Sequence, residues 1–179
     1  MNRIDTAIPG VFLLDPKVFD DGRGWFYESY REDTFRDLGI STRFVQDNQS
    51  FSSRDVLRGL HYQLGKPQAK LVRVLQGEVF DVAVDVRRGS ATFGKWVGEI
   101  LSGANRRQMY VPVGFAHGFL TLADNTEVSY RMGARYVADA ARGVRWDDPR
   151  FAIAWPARPA VISERDASYP DVDPELADA

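Results

Sequence analysis

The sequence predicts an all-β jelly roll with a few short helices, and three observations carry that prediction. Apolar and polar residues alternate with period two in one segment after another, these segments are short, and turn-forming glycine, asparagine and aspartate punctuate them. Several strands also place polar side chains on the side where core residues belong, which is costly unless those side chains line a cavity. A sandwich or barrel with room inside for a ligand satisfies all three observations.

Taken in order, residues 10–14 read as a first strand. Asp20-Asp21-Gly22-Arg23-Gly24 is turn chemistry that delivers the aromatic, strand-like run Trp25-Phe26-Tyr27-Glu28-Ser29-Tyr30. Residues 32–39 form the one clear helix, with Phe35 and Leu38 on one side and Gly39 as its stop. Residues 43–50 open a strand whose expected hairpin partner is the opening stretch. Lys70-Leu71-Val72-Arg73-Val74-Leu75 and residues 79–86 flank Gln76-Gly77-Glu78, a hairpin signature. In the second of these strands Asp81, Ala83 and Asp85 alternate against Val82, Val84 and Val86. Strands over 96–101, 109–120 and 128–132 complete the set.

The 179 residues, 44% of them hydrophobic, suit a single domain spanning the whole chain, with a loosely held, acidic tail at 167–179. A net charge of -2 with scattered basic residues argues against nucleic acid as a partner. There is no cysteine, hence no disulfide framework and no thiolate metal site. The absence of an apolar leader and of any membrane-length apolar run makes a cytoplasmic protein without a membrane partner the expectation.

One of only two histidines lies in Val56-Leu57-Arg58-Gly59-Leu60-His61-Tyr62-Gln63. On a strand, Gly59, His61 and Gln63 share a face, and Gly59 leaves room beside the imidazole. The bland reading is a half-buried strand whose histidine merely satisfies a hydrogen bond. The functional reading groups His61 with Lys70, Asp81 and Asp85 in a polar pocket. Removing a proton from a carbon beside a carbonyl needs a base near neutral pH, a cation or donor for the enolate oxygen, and an acid to return the proton. His61, Lys70 and the tyrosines offer that set, and a carboxylate such as Asp166 would orient the imidazole.

Arg58-Gly59-Leu60-His61-Tyr62-Gln63, Lys70-Leu71-Val72-Arg73-Val74, Asp81-Val82-Ala83-Val84-Asp85 and residues 111–119 together resemble the dTDP-4-dehydrorhamnose 3,5-epimerase family. Trp146-Asp147-Asp148-Pro149, Trp155-Pro156 and Ser163-Glu164-Arg165-Asp166 continue the resemblance in the family's order. It implies a cupin-type jelly roll, a homodimer and cofactor-independent inversion of C3 and C5 in a dTDP-4-keto-6-deoxy-hexose through an enolate. It also implies roles: His61 as base with Asp166 as its partner, Tyr130 as the acid on the opposite face of the sugar, and Lys70 on the enolate oxygen. Arg58 and His117 match further pocket residues near the sugar, Arg23, Phe26, Glu28, Gln46 and Asn48 match nucleotide-binding positions, and Tyr136 matches an aromatic that stacks near the nucleotide.

The chain departs from the family pattern in reading Val137-Ala138-Asp139-Ala140-Ala141-Arg142 where a glutamate is usual, Arg165 where a lysine is usual, and Met132-Gly133-Ala134 between the two tyrosines. These changes fall at the nucleotide end and bear on whether one carbon or both are inverted, so a monofunctional 3- or 5-epimerase is the nearest alternative. A metal-dependent cupin is a different class. It would need two histidines and a carboxylate, yet His61-Tyr62-Gln63 has glutamine where the second ligand of the usual His-x-His pair should stand. A non-catalytic nucleotide-sugar binding module would have no use for His61, Lys70 and Tyr130 together.

Overall fold

A computed structural model describes residues 1–173. In chain order its strands are β1 (Asn2–Asp5), β2 (Phe12–Asp15), β3 (Phe19–Asp21), β4 (Gly24–Phe26), β5 (Gln46–Ser52), β6 (Val56–Gln63), β7 (Lys70–Gln76), β8 (Glu78–Asp85), β9 (Trp96–Ser102), β10 (Gln108–Val111), β11 (Phe115–Thr121), β12 (Thr126–Met132), β13 (Ala141–Gly143) and β14 (Val161–Ile162). The helices are α1 (Glu32–Asp37) and the one-turn α2 (Glu164–Ala167), which Ser163 caps by accepting from the Asp166 N–H.

The strands form the two facing sheets of a jelly roll. One runs β1-β2-β10-β7-β12-β5 and the other β13-β6-β11-β8-β9, with β14 joining β6 as the sole parallel pair among those described. Apolar side chains from both inner faces, including Val72, Val74, Ala83, Leu101, Met109, Phe115 and Phe119, make the central core. Two outer layers flank it. Helix α1 plants Phe35 with Phe12, Leu14, Leu71 and Tyr110 on the back of the first sheet. The segment after β12 covers the back of the second, where Val144, Phe151 and Val172 pack on Leu60, Val82, Val84 and Val86. Strand β8 is therefore buried on both faces: Val82 and Val84 look outward into this third layer, and Val79, Asp81 and Ala83 look inward.

Several expectations need correction. The opening stretch pairs β2 with β1 and β10, whereas β5 pairs with β12 at the other end of the sheet. Residues 70–86 are not a hairpin, because β7 lies in the first sheet and β8 in the second, and Gln76-Gly77-Glu78 is the crossing between them. Gly77 is required there, since its φ is +77° and a Cβ would stand 2.3 Å from Thr126 Oγ1. The aromatic run 25–30 is strand only as far as Phe26, in a β3–β4 hairpin that pairs with nothing else. The tail is held over 167–173, where Val172 is 4% exposed and its N–H donates to Asp148 Oδ2, because an apolar side chain was available to close the third layer. The remainder of that tail lies outside the described residues. Among the described residues no helix is long and apolar enough to cross a membrane.

Candidate active site

A cavity of about 570 Å³ opens between the sheets at one end of the roll, a size ordinary for small-molecule sites. The second sheet contributes Arg58, His61 and Gln63 from β6, His117 and Phe119 from β11 and Arg142 from β13; the first contributes Asn48 from β5, Lys70 from β7 and Tyr130 and Met132 from β12. Loop residues Gln68, Tyr136 and Ser163, with Arg165 and Asp166 of α2, close the remaining side.

Local irregularity in β6 aims the key residues. Strict alternation would send Arg58 and His61 to opposite faces. Strand β11 pairs His117 with His61 and Phe119 with Arg58, so three steps on β6 match two on β11. That extra residue is a β-bulge, and it turns both side chains to the cavity. Glycine is needed at the bulge for a closer reason than space beside the imidazole. A Cβ on Gly59, whose φ is +129°, would sit 2.5 Å from Gly118 Cα, and one on Gly118 would sit 2.6 Å from the Arg58 carbonyl oxygen. The Gly59 N–H is thereby freed to donate to Asp166 Oδ2 at 3.0 Å.

The other Asp166 oxygen lies 2.8 Å from His61 Nε2, while the His61 side chain stays 43% exposed to the cavity. With Nε2 donating to the carboxylate, Nδ1 carries the lone pair able to take a proton. Burial alone would raise the Asp166 carboxyl, but the His61 imidazole and the Gly59 N–H outweigh it and hold it below the usual carboxylate range. Asp166 thus stays ionised opposite the imidazolium that forms when His61 takes a proton.

A second histidine–carboxylate pair stands beside the first. His117 Nε2 is 2.8 Å from Asp81 Oδ1, with the carboxylate fully buried. Lys70, 4% exposed, donates to the His61 carbonyl at 3.2 Å. Burial lowers its ammonium to about 8, and the nearby Asp81 charge opposes that fall. On the facing sheet Tyr130 is raised by burial, with Arg58 working against the rise, so the phenol keeps its proton through neutral pH. Arg58 is fixed by two bonds to Ser52 Oγ, at 3.2 and 3.1 Å, that tie the sheets together at the cavity edge.

Of the residues expected from the sequence, His61, Lys70, Tyr130, Asp166, Arg58, His117, Asn48 and Tyr136 meet at this cavity. Gln46 stands just outside the lining, bonded to Asn48 and to the Tyr136 N–H. Arg23, Phe26 and Glu28 do not reach it: Arg23 pairs with Asp21, Glu28 with Arg31, and the Phe26 side chain on β4 is 69% exposed. Asp85 is not a pocket residue either. Its carboxylate is consumed by Arg87, Ser90 and Thr92 in the turn after β8. Sequence reasoning missed Gln68, Arg142 and Ser163, whose types carry no signal of their own.

The family model described as dTDP-4-dehydrorhamnose 3,5-epimerase matches residues 5–173. A protein of that name from Pseudomonas aeruginosa is 52% identical over 168 residues, covering 93% of each chain. The chain belongs to the dTDP-4-dehydrorhamnose 3,5-epimerase family. It is accordingly an epimerase, an enzyme of the isomerase class. A crystal structure of the Legionella pneumophila dTDP-6-deoxy-D-glucose-3,5-epimerase, in complex with dTDP-4-keto-L-rhamnose, superposes with a TM-score of 0.95 at 47% identity, covering 99% of this chain and 97% of that one. The 3'-monoepimerase ChmJ of Streptomyces bikiniensis, in complex with dTDP-quinovose, gives 0.86 at 32% identity over 93% of this chain and 85% of its own. The bulged β6 and its dyad thus sit in an epimerase-family fold.

Proposed function

We propose that this epimerase inverts both C3 and C5 of dTDP-4-dehydro-6-deoxyglucose to give dTDP-4-dehydrorhamnose. The observation that carries the reading is His61 on one sheet, paired with Asp166 of α2, facing Tyr130 on the other sheet across a cavity that also holds Lys70. Both carbons flank the C4 ketone, so each C–H is acidified by the same carbonyl. His61 takes the proton from one face, the electron pair moves into the carbonyl to give an enolate, and the Lys70 ammonium stabilises the charge on O4. Tyr130 then delivers a proton to the opposite face of the same carbon, which inverts it. Exchange with solvent then removes the proton from His61 and restores the one on Tyr130, and a second such cycle inverts the other carbon.

The lining residues include four cations, Arg58, Lys70, Arg142 and Arg165, against one carboxylate, Asp166. That balance, in a chain of net charge -2, suits a ligand bearing a diphosphate. No cofactor enters the scheme. Among the described residues no three His, Cys, Asp or Glu side chains are grouped to hold a metal ion, and each histidine of the cavity is engaged with its own aspartate. The family resemblance supports a homodimer. The self-contained β3–β4 hairpin, with Phe19, Trp25 and Phe26 exposed, supports assigning Arg23, Phe26 and Glu28 to the nucleotide site of a second copy.

The test is conversion of dTDP-4-dehydro-6-deoxyglucose by protein dialysed against a chelator, with product configuration read by proton NMR. The doubly inverted sugar is expected. A sugar inverted at C3 alone would make the chain a monoepimerase, and activity restored only by added metal would return it to the metal-dependent class.

A further inference from the structure

We propose that Gln46, Gln63 and Gln68 are positioning residues that clamp the segment carrying Tyr136 at the cavity mouth, and that through it they set affinity for the nucleotide end of the ligand. The inference rests on the reading that Tyr136 meets that nucleotide. Residues 134–137, after β12, belong to no strand, so their peptide groups have no ladder to bond them. Three glutamine side chains take its place. Gln68 Nε2 donates to the Ala134 carbonyl at 2.8 Å. Gln63 Nε2 donates to the carbonyls of Arg135 at 3.2 Å and Lys66 at 2.9 Å, while its Oε1 accepts from the Val137 N–H at 2.7 Å. Gln46 Oε1 accepts from the Tyr136 N–H at 2.9 Å, and its Nε2 donates to Asn48 Oδ1 at 2.9 Å.

Four consecutive residues are thus each held through the backbone by a side chain from elsewhere in the fold. Gln63 and Gln68 are 2% and 7% exposed, so little water can reach these amides to substitute for the bonds they make. An amide suits the task because it offers donor and acceptor without charge. A carboxylate at position 63 would confront two carbonyl oxygens, and an ammonium could not accept from Val137. The clamp leaves the Tyr136 ring 52% exposed, with its hydroxyl 3.4 Å from Arg165 Nη1. Gln63 also lies two residues beyond His61 on β6, so one strand fixes both the base and the support of the aromatic wall.

The experiment is a double-mutant cycle read by calorimetric titration with dTDP as the probe. Gln63→Met and Tyr136→Ala are each expected to weaken dTDP binding roughly 5- to 20-fold. In the Tyr136→Ala background the Gln63 change should then cost less than about twofold, because the group it positions is gone. A merely structural role would leave the losses independent and multiplicative, and that result overturns the clamp. So does dTDP affinity unchanged in Gln63→Met when Tyr136→Ala weakens it. Unchanged affinity in Tyr136→Ala alone overturns the nucleotide reading beneath the inference, and the inference with it. Gln68→Met, which removes a single bond, is carried through the same cycle and has to show the same non-additivity, so a Gln63 variant that fails to fold does not decide the matter.

Discussion

Replacing His61 with alanine is expected to lower turnover by roughly 10²–10⁴-fold while the protein still folds and still binds dTDP. The loss follows from the site's construction. His61 supplies the cavity's one imidazole paired with Asp166, and the other histidine is committed to Asp81 with a side chain only 7% exposed. The fold should survive because the His61 side chain is 43% exposed and Asp166 keeps its bond from the Gly59 N–H. Steady-state turnover, alongside a dTDP titration of the same preparation, checks both halves. Near-normal turnover in His61→Ala would remove His61 from the chemistry.

Lys70→Met is expected to cut turnover on the order of 10²-fold or more, about 2.7 kcal/mol of barrier, because the enolate loses the ammonium placed to meet its charge where water cannot replace it. The substitution keeps the length and apolar stem of a side chain that is 4% exposed, so packing changes little. The wild type carries a matching signature in its pH profile. Burial has lowered the Lys70 ammonium to about 8, so its charge is present below that pH and lost above it. The value of kcat/KM, which reports the free enzyme, should therefore fall as pH rises through about 8, and the Lys70→Met variant should lack that decline. Tighter substrate binding with unchanged turnover in the variant would contradict the role.

Much of this was legible in the sequence, for reasons that also explain what was not. Period-two alternation identified β6, β8 and β12, and the succession of short motifs pointed to the epimerase family and to the dyad, Lys70 and Tyr130. Sheet membership was harder to read. A glycine between two apolar strands reads the same whether the chain doubles back on itself or crosses to a facing sheet, so residues 70–86 passed for a hairpin. Asp85 misled because alternation gives the face of a strand but not the depth along it: Asp81 lies within reach of His117, while Asp85 lies at the turn, where Arg87, Ser90 and Thr92 absorb its charge. Arg58 and His61 share the cavity only because of a bulge that strict alternation cannot represent. The glutamine clamp left no trace in the local pattern, since Gln63 and Val137 are 74 residues apart and their bond runs from side chain to backbone. Strand β1, exposed at every position, lacks the alternation by which the others were found.

In the proposed scheme His61 and Tyr130 exchange protons with one carbon from opposite faces of an enolate. Incubation with dTDP-4-dehydro-6-deoxyglucose in heavy water tests it most directly, because each carbon that passes through the enolate and is reprotonated from solvent-equilibrated groups takes up deuterium. Wild type should label both C3 and C5 and release the doubly inverted sugar. Tyr130→Phe should exchange better than it inverts, since His61 can still remove a proton and return one to the original face. Deuterium confined to C3 with a singly inverted product would contradict the double inversion, and inversion without any deuterium uptake would contradict the enolate itself.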